Sequence, residues 1–125
     1  MGSLPDAAFL MRRGEIRLVE LDPARGAEAD KRRPAVIVSN DGANSTATHL
    51  GRGVVTVVPV TSNVTRVYPF QVLLPSPRTG LERDSKAQAE QARSIAVDRI
   101  GRMVGVVPPP LMVQINEALR LHLAL

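Results

Sequence analysis

The chain has 125 residues, a length that fits one domain and leaves no room for a catalytic domain joined to a regulatory one. It has no cysteine, which excludes thiol catalysis, disulfide bonds and the commonest structural zinc sites, and its 44% apolar residues exclude a disordered chain. The net charge of +4 is concentrated in residues 31–80, which hold six basic residues and one acidic residue. A local excess of this kind attracts polyanions such as nucleic acid, although a solvated face that only confers solubility has the same composition.

No segment reaches the roughly 20 apolar residues that a membrane span needs, so we expect no membrane association. The short apolar patch near the start is followed, not preceded, by arginines, which is the wrong order for a secretory signal. The absence of cysteine is compatible with a reducing cytosol, and we expect a cytoplasmic protein. Residues 12–125 are expected to form a single domain, with residues 1–11 an N-terminal extension or a cloning remnant.

The first half of the chain alternates apolar and polar segments. Residues 15–21 are apolar and β-branched enough for a strand, and the charged residues 23–33 that follow predict a loop. Residues 34–39 form a continuous apolar run typical of a buried strand. Residues 40–53, rich in Asn, Ser, Thr and Gly, predict a second loop. Residues 54–60 give the strongest strand signal, and Pro59 should mark its end or a bulge.

The second half continues with a strand at residues 70–74 and a turn cluster at 75–80. The composition of residues 85–95 favours a helix, although the small residues at 87 and 89 also allow a strand. A short strand follows at 102–107. Three prolines then begin a helix, whose apolar residues recur at helical spacing to the end of the chain. These elements predict a small α+β fold with a twisted antiparallel sheet or partial barrel.

The sequence lacks the common signatures of metal and nucleotide chemistry. It contains no HExxH motif, no carboxylates at metal-ligand spacing and no glycine-rich phosphate loop followed by Lys and Ser or Thr. We therefore expect no metal and no cofactor. Polar groups are instead concentrated in residues 23–33 and at the end of the strand at 54–61. Arg33 precedes a buried strand, a position that can fix a functional group, and Thr61 and Ser62 follow the central strand.

Short motifs occur in a characteristic order along nearly the whole chain. They are Gly14-Glu15-Ile16, Leu21-Asp22-Pro23, Gly26-Ala27-Glu28, Arg33-Pro34-Ala35-Val36-Ile37-Val38, Val58-Pro59-Val60-Thr61, Tyr68-Pro69-Phe70-Gln71-Val72 and Glu90-Gln91-Ala92-Arg93-Ser94-Ile95. Each is weak alone, but the ordered set from about residue 12 to residue 123 closely resembles the MazF/PemK family of toxin endoribonucleases.

The resemblance implies an α+β fold, an SH3-like small barrel of twisted antiparallel strands with a C-terminal helix. It implies a strand across residues 86–95, against the helix that composition favours. It also implies a homodimer that cleaves single-stranded RNA at a short sequence without a metal, and a small acidic antitoxin that neutralises it. Messenger RNA is the first substrate expected, with ribosomal or transfer RNA as alternatives.

The resemblance also assigns site residues. Arg33 and Thr61 match the catalytic pair of the family, and Glu28 matches an acid that is a candidate base. Residues with a proposed part in RNA binding, by motif or by charge, are Arg17, Lys31, Arg32, Ser62, Arg66, Gln91 and Ser94. Arg78 and Arg93 are further arginines that could contact phosphate. Because the chain has only three aromatic rings, we expect phosphate and polar-edge contacts to carry recognition.

The chemistry of these side chains fits RNA cleavage by 2′-hydroxyl attack, which leaves a 2′,3′-cyclic phosphate and a 5′-hydroxyl. The guanidinium of Arg33 can meet the negative charge that develops on the phosphate oxygens, and Thr61 can donate a hydrogen bond to the same group. An arginine is a poor proton acceptor at neutral pH. Glu28 is a candidate base only if it comes within about 3 Å of the hydroxyl.

Three departures from the family pattern keep alternatives open. The usual Gly-Ser-Glu-Gln is Gly26-Ala27-Glu28-Ala29 here, and Arg17 stands where an aromatic ring is common. A catalytically weakened relative that binds RNA or antitoxin is one alternative. A toxin of the same fold that binds a protein target, as the related gyrase poison does, is the other.

Overall fold

The computed structural model describes residues 11–21 and 32–125. Its strands are β1 (Glu15–Glu20), β2 (Arg32–Ile37), β3 (Val54–Thr61), β4 (Gln71–Leu74), β5 (Ser85–Gln88), β6 (Arg93–Ala96) and β7 (Ile100–Val106). Its helices are α1 (Asp41–Leu50), α2 (Ser76–Thr79) and α3 (Pro109–Leu123), with short 3₁₀ turns at Ala89–Gln91 and Val97–Arg99. In this part of the chain no helix is long and apolar enough to cross a membrane.

All strand pairs are antiparallel and belong to one sheet with the order β4-β5-β3-β2-β1-β7, and β6 also pairs with β3. The predicted strands and the predicted C-terminal helix are confirmed, as is the α+β class. The central strand β3 has the most β-branched sequence, and it pairs with three other strands.

Alternate side chains of the central strands enter two separate apolar clusters. On one face, Val36 and Val58 pack with Leu111 and Ile115 of α3. On the other face, Ala35 and Val57 pack with apolar side chains that include Ala47 of α1. Because the side-chain period of a strand is two residues, each face of β2 and β3 buries every second residue, and the sheet is covered on both sides.

The sheet curls so that its two ends approach each other. A Cβ atom on Gly105 of edge strand β7 would lie 2.6 Å from the backbone oxygen of Thr79 in α2, which follows the opposite edge strand β4. Only a glycine allows this approach. The result is a small barrel that is closed at this point by packing rather than by a further row of backbone hydrogen bonds.

The loop expected at residues 40–53 is wrong, because Asp41–Leu50 form α1. The side-chain oxygen of Asn40 accepts a hydrogen bond from the backbone N–H of Ala43 at 2.8 Å, which caps the first turn. Gly51 ends the helix in the left-handed conformation, with φ of 67°. Asn44 is fully buried, and its amide donates to the carbonyl of Ser39 at 2.9 Å. The polar composition of this segment suggested a loop, although the sequence holds the signals for both ends of the helix, Asn40 at the start and Gly51 at the end.

The end or bulge expected at Pro59 is also wrong. Pro59 lies within β3, buried and opposite Ala35, and the strand continues to Thr61. On its other side, β3 pairs with β6 as far as Val57 and with β5 from Val60 onward. Proline lacks a backbone N–H, and it is tolerated here because no strand pairs with it on that side.

Residues 85–95 form neither the helix that composition favours nor one unbroken strand. They form β5 and β6, separated by the 3₁₀ turn Ala89–Gln91. Ala87 and Ala89 are buried among the residues that pack against α3, which explains the small side chains. The strand that the family resemblance implies is therefore confirmed with an interruption.

Candidate active site

Arg33 and Thr61 lie near the adjacent ends of the neighbouring strands β2 and β3. β2 and β3 pair in a register that places Ala35 opposite Pro59. This is the outermost pair between the two strands, and Arg33 and Thr61 each lie two residues beyond it, where Arg33 pairs with Val19 of β1 and Thr61 with Lys86 of β5. Side chains two residues apart on a strand point to the same face, so Arg33 and Thr61 both lie on the face of Ala35 and Pro59. The fold thus brings together two side chains that are 28 positions apart in the sequence.

Both side chains line one open cavity of about 360 Å³. Its described lining residues are Leu21, Arg33, Pro59, Val60, Thr61, Gln88, Gln91 and Arg93. The floor is the end of the β2–β3 pair. One wall comes from the segment that leaves β5, passes through the 3₁₀ turn and enters β6. The cavity therefore lies where β3 exchanges one neighbouring strand for the other.

The hydroxyl of Thr61 is oriented by its own backbone. The Oγ1 atom accepts a hydrogen bond from the backbone N–H of Asn63 at 3.2 Å, and the side chain of Asn63 accepts one from the N–H of Thr65 at the same distance. Two successive side-chain turns thus shape the segment that follows β3. Because Oγ1 acts as an acceptor toward Asn63, its proton stays available for donation to a bound group.

The cavity carries positive charge that no described carboxylate neutralises. Arg33 and Arg93 are both exposed, and neither has a carboxylate within salt-bridge distance among residues 11–21 and 32–125. No acidic residue is among the described residues that line the cavity. Two guanidinium groups in one cavity make it attractive to an anion, and each group can present paired donors to phosphate oxygens.

A buried lysine stands beside the site. Lys86 of β5 is opposite Thr61 and only 7% exposed. Its Nζ donates to the carbonyl oxygen of Arg66 at 2.6 Å and lies 6.0 Å from the centroid of the Tyr68 ring. That ring stacks on Phe70, with centroids 5.4 Å apart. This lysine ties the segment after Thr61 to the sheet, so it helps to hold the hydroxyl in place.

Two of the residues predicted to bind RNA lie on the opposite face of the strand ends. Arg32 is opposite Glu20, and its Nη2 is 3.5 Å from the Glu20 carboxylate. Ser62 lines a separate cleft of about 640 Å³. Consecutive residues of a strand point to opposite faces, so Arg32 turns away from the cavity that Arg33 and Thr61 share, and Ser62, which follows the end of β3, is not among the described residues that line it.

The remaining predicted residues are distributed more widely. Arg17 is buried, donates to Glu15 at 2.9 Å and to the carbonyl of Gly101 at 3.0 Å, and lines a different cavity of about 190 Å³. Arg66 is exposed, and Ser94 is exposed in β6 opposite Thr56. Gln91 lines the cavity with Arg33. Glu28 and Lys31 lie outside the described residues.

Within residues 11–21 and 32–125, no three histidine or carboxylate side chains lie close enough together to hold a metal ion.

The family model described as "PemK-like, MazF-like toxin of type II toxin-antitoxin system" matches residues 12–123. This chain belongs to that family. The resemblance seen in the ordered motifs is therefore confirmed for this MazF-like toxin.

Known relatives match this chain over almost its full length. This MazF-like chain is 65% identical over 116 residues to Endoribonuclease MazF9 of Mycobacterium tuberculosis, which covers 93% of this chain and 98% of the relative. Endoribonuclease EndoA of Bacillus subtilis is 28% identical over 118 residues, or 94% of this chain and 97% of the relative. A solved "Endoribonuclease from Mycobacterial species" superposes with a TM-score of 0.73 at 25% identity, over 96% of this chain and 97% of that one.

A further solved relative is described as "Endoribonuclease in complex with its cognate antitoxin from Mycobacterial species". Its TM-score is 0.69 at 25% identity, over 92% of this chain and 96% of that one. The small barrel with a C-terminal helix is thus the architecture that this chain shares with MazF structures.

Sequence reasoning missed Gln88 and Lys86 of this MazF-like toxin. Both lie in the segment whose composition favours a helix, and their importance depends on how β5 pairs with β3. One signal was available. Lysine at position 86 sits between Ser85 and Ala87, in a run of small residues that otherwise suits a buried strand, and a charged residue in such a run has a specific partner.

Proposed function

We propose that this chain is a toxin endoribonuclease that cleaves single-stranded RNA at a short sequence, with Arg33 and Thr61 as its catalytic residues and without a metal. The observation that carries the proposal is the placement of these two residues in one cavity whose described lining has two guanidinium groups and no carboxylate. The names of its relatives, among them a 65% identical endoribonuclease, support the same activity.

The proposed reaction is attack of a ribose 2′-oxygen on the adjacent phosphorus. The bond between the 2′-oxygen and phosphorus forms while the bond from phosphorus to the 5′-oxygen breaks. The 2′-hydroxyl loses its proton and the leaving 5′-oxygen gains one, which gives a 2′,3′-cyclic phosphate and a 5′-hydroxyl.

Negative charge grows on the two non-bridging oxygens as the fifth bond to phosphorus forms. Arg33 meets that charge with two N–H donors, and the oriented hydroxyl of Thr61 donates a third hydrogen bond. Arg33 is also the proposed proton donor to the leaving oxygen, while Glu28 is the proposed base. Donors that are already in position before the reaction do not have to reorganise during it, which is why a pair fixed by two strands suits this role.

The partners proposed for this toxin are single-stranded RNA, a second copy of the chain in a homodimer and a cognate acidic antitoxin. A solved relative is described in complex with its antitoxin, which supports the last of these. We propose that the toxin acts in the cytoplasm, with residues 12–125 as its single domain.

The test is to incubate the purified protein, free of antitoxin, with a long RNA in excess EDTA and to map the new ends. Cuts at a defined sequence that leave 5′-hydroxyl ends support the proposal, provided that Arg33→Ala and a 2′-deoxy substitution at the cut site abolish them. Intact RNA at micromolar wild-type protein would refute it and would favour the toxin that binds a protein target.

A further inference from the structure

The wall of the cavity opposite Arg33 carries three polar side chains with no assigned role as a group: Gln88, Gln91 and Arg93. Arg93 is opposite Val57 on β3, four residues before Thr61. A strand rises about 3.3 Å per residue, so the backbone positions that hold Thr61 and Val57 are about 13 Å apart. Val57 and Thr61 are an even number of residues apart on β3, so Arg93, which is opposite Val57, points to the same face as Thr61. Along the chain, the two glutamines lie between Lys86, which is opposite Thr61, and Arg93, which is opposite Val57.

We propose that this wall is a one-nucleotide subsite of the RNA groove. Arg93 binds the phosphate next to the scissile phosphate, and the amides of Gln88 and Gln91 hydrogen-bond to the edge of the base between the two phosphates. The inference rests on the proposed endoribonuclease function and goes beyond it, because it states how one nucleotide is held in register with Arg33 and Thr61.

Charge supports the phosphate end of the subsite. Arg33 and Arg93 line the same cavity, and no described lining residue is acidic. Two like charges in one cavity repel each other, and an anion held between them removes that cost. A polyanion with regularly spaced charges satisfies both guanidinium groups, and single-stranded RNA supplies consecutive phosphates.

The amides support the base end. In the described residues, no hydrogen bond uses the side chain of Gln88 or Gln91, although each offers two donors and one acceptor. No aromatic residue is among the described residues that line this cavity, so they offer a base no ring to stack on. The edges of unstacked RNA bases present donors and acceptors that amide groups can match. Recognition in this cavity therefore depends on edges and phosphates.

The phosphate contact is tested with Arg93→Gln and a matched control, Arg120→Gln, which removes the same charge from an exposed position on α3. For Arg93→Gln we expect KM to rise by about 10- to 100-fold, the range for a lost hydrogen bond to a charged group, with kcat within about threefold. The slope of log KM against log salt should become shallower by about 0.7, the value for one phosphate on a single strand. Arg120→Gln should match the wild type. Equal KM and salt slope for the two variants would overturn the proposal.

The base contacts are tested with Gln88→Ala and Gln91→Ala on short RNAs that are randomised on both sides of the cut. We expect the preference at one position beside the cut to weaken while the salt slope stays at the wild-type value. Unchanged preference in both variants would overturn the base end of the subsite. Circular dichroism spectra and melting temperatures equal to those of the wild type establish that each variant is folded.

Binding of an RNA with a 2′-deoxy residue at the cut site separates failure of the subsite from failure of the proposed function. A wild-type protein that does not cut RNA refutes the function itself, and binding of this oligonucleotide by the variants then still measures the subsite. A wild-type protein that cuts RNA, with Arg93→Gln indistinguishable from Arg120→Gln, refutes only the subsite. Weaker antitoxin binding by Arg93→Gln with an unchanged KM for RNA would assign Arg93 to the antitoxin and would also overturn the proposal.

Discussion

The side-chain oxygen of Thr61 accepts a hydrogen bond from the backbone N–H of Asn63, two residues further along the chain, at 3.2 Å. The protein thus uses a lone pair of the hydroxyl and leaves its proton for the substrate. Serine can make the same two interactions, whereas valine has nearly the shape of threonine and can make neither. Position 61 therefore allows the hydroxyl to be tested almost without a change in volume.

We expect Thr61→Val to lower kcat by about 10²–10³-fold, the range for loss of one donor to a transition-state oxyanion. Thr61→Ser should stay within about tenfold of the wild type. Single-turnover cleavage of a short RNA measures both. Equal rates for the valine and serine variants would contradict a role for the hydroxyl proton.

Arg33→Lys retains the charge at position 33 but replaces a planar group with paired donors by a single ammonium. We expect kcat to fall by about 10²-fold, with binding of a non-cleavable RNA weakened far less, because the paired donors match the phosphate oxygens most closely in the transition state. Arg33 is exposed, so unfolding in urea should be unchanged. A lysine variant with wild-type kcat would show that charge alone is sufficient.

The cap of α1 can be removed without touching the cavity. Asn40→Ala deletes the oxygen that accepts the N–H of Ala43, and we expect the free energy of unfolding to fall by about 0.5–2 kcal/mol. Asn40→Ser keeps an acceptor at this position and should lose less. Urea denaturation gives both values. If alanine and serine destabilise equally, the cap does not contribute through this hydrogen bond.

The approach of β7 to α2 depends on the absence of a side chain at position 105. Gly105→Ala places a Cβ 2.6 Å from the backbone oxygen of Thr79, and a backbone atom cannot move aside as a flexible side chain can. We expect a loss of about 1–3 kcal/mol in unfolding free energy, the usual cost of overpacking. Gly42→Ala is the comparison, because a Cβ there would lie 3.2 Å from the side-chain oxygen of Asn40 and would disturb only the cap of α1 and no backbone atom. A change of less than about 1 kcal/mol is expected there.

Local sequence was sufficient to predict the strands and α3, because their apolar runs and helical spacing reflect the faces that they bury. It was not sufficient for α1, where Asn44 and Ala47 are the buried residues and neither suggests a core position. In the candidate site, Arg33 and Thr61 were predicted from the resemblance to the family. Their placement in one cavity depends on how β2 and β3 pair, which is a tertiary property. Gln88 was missed for the same reason.

The break between β5 and β6 bears on how the substrate preference of this toxin can change. β3 pairs with β5 at Val60↔Ala87 and with β6 at Val57↔Arg93, and the turn Ala89–Gln91 joins β5 to β6. A residue inserted into or deleted from that turn alters the width of the cavity while the β2–β3 register stays intact. Changes in this turn can therefore alter the proposed base contacts without moving Arg33 and Thr61. A new cleavage specificity can then evolve without loss of the reaction.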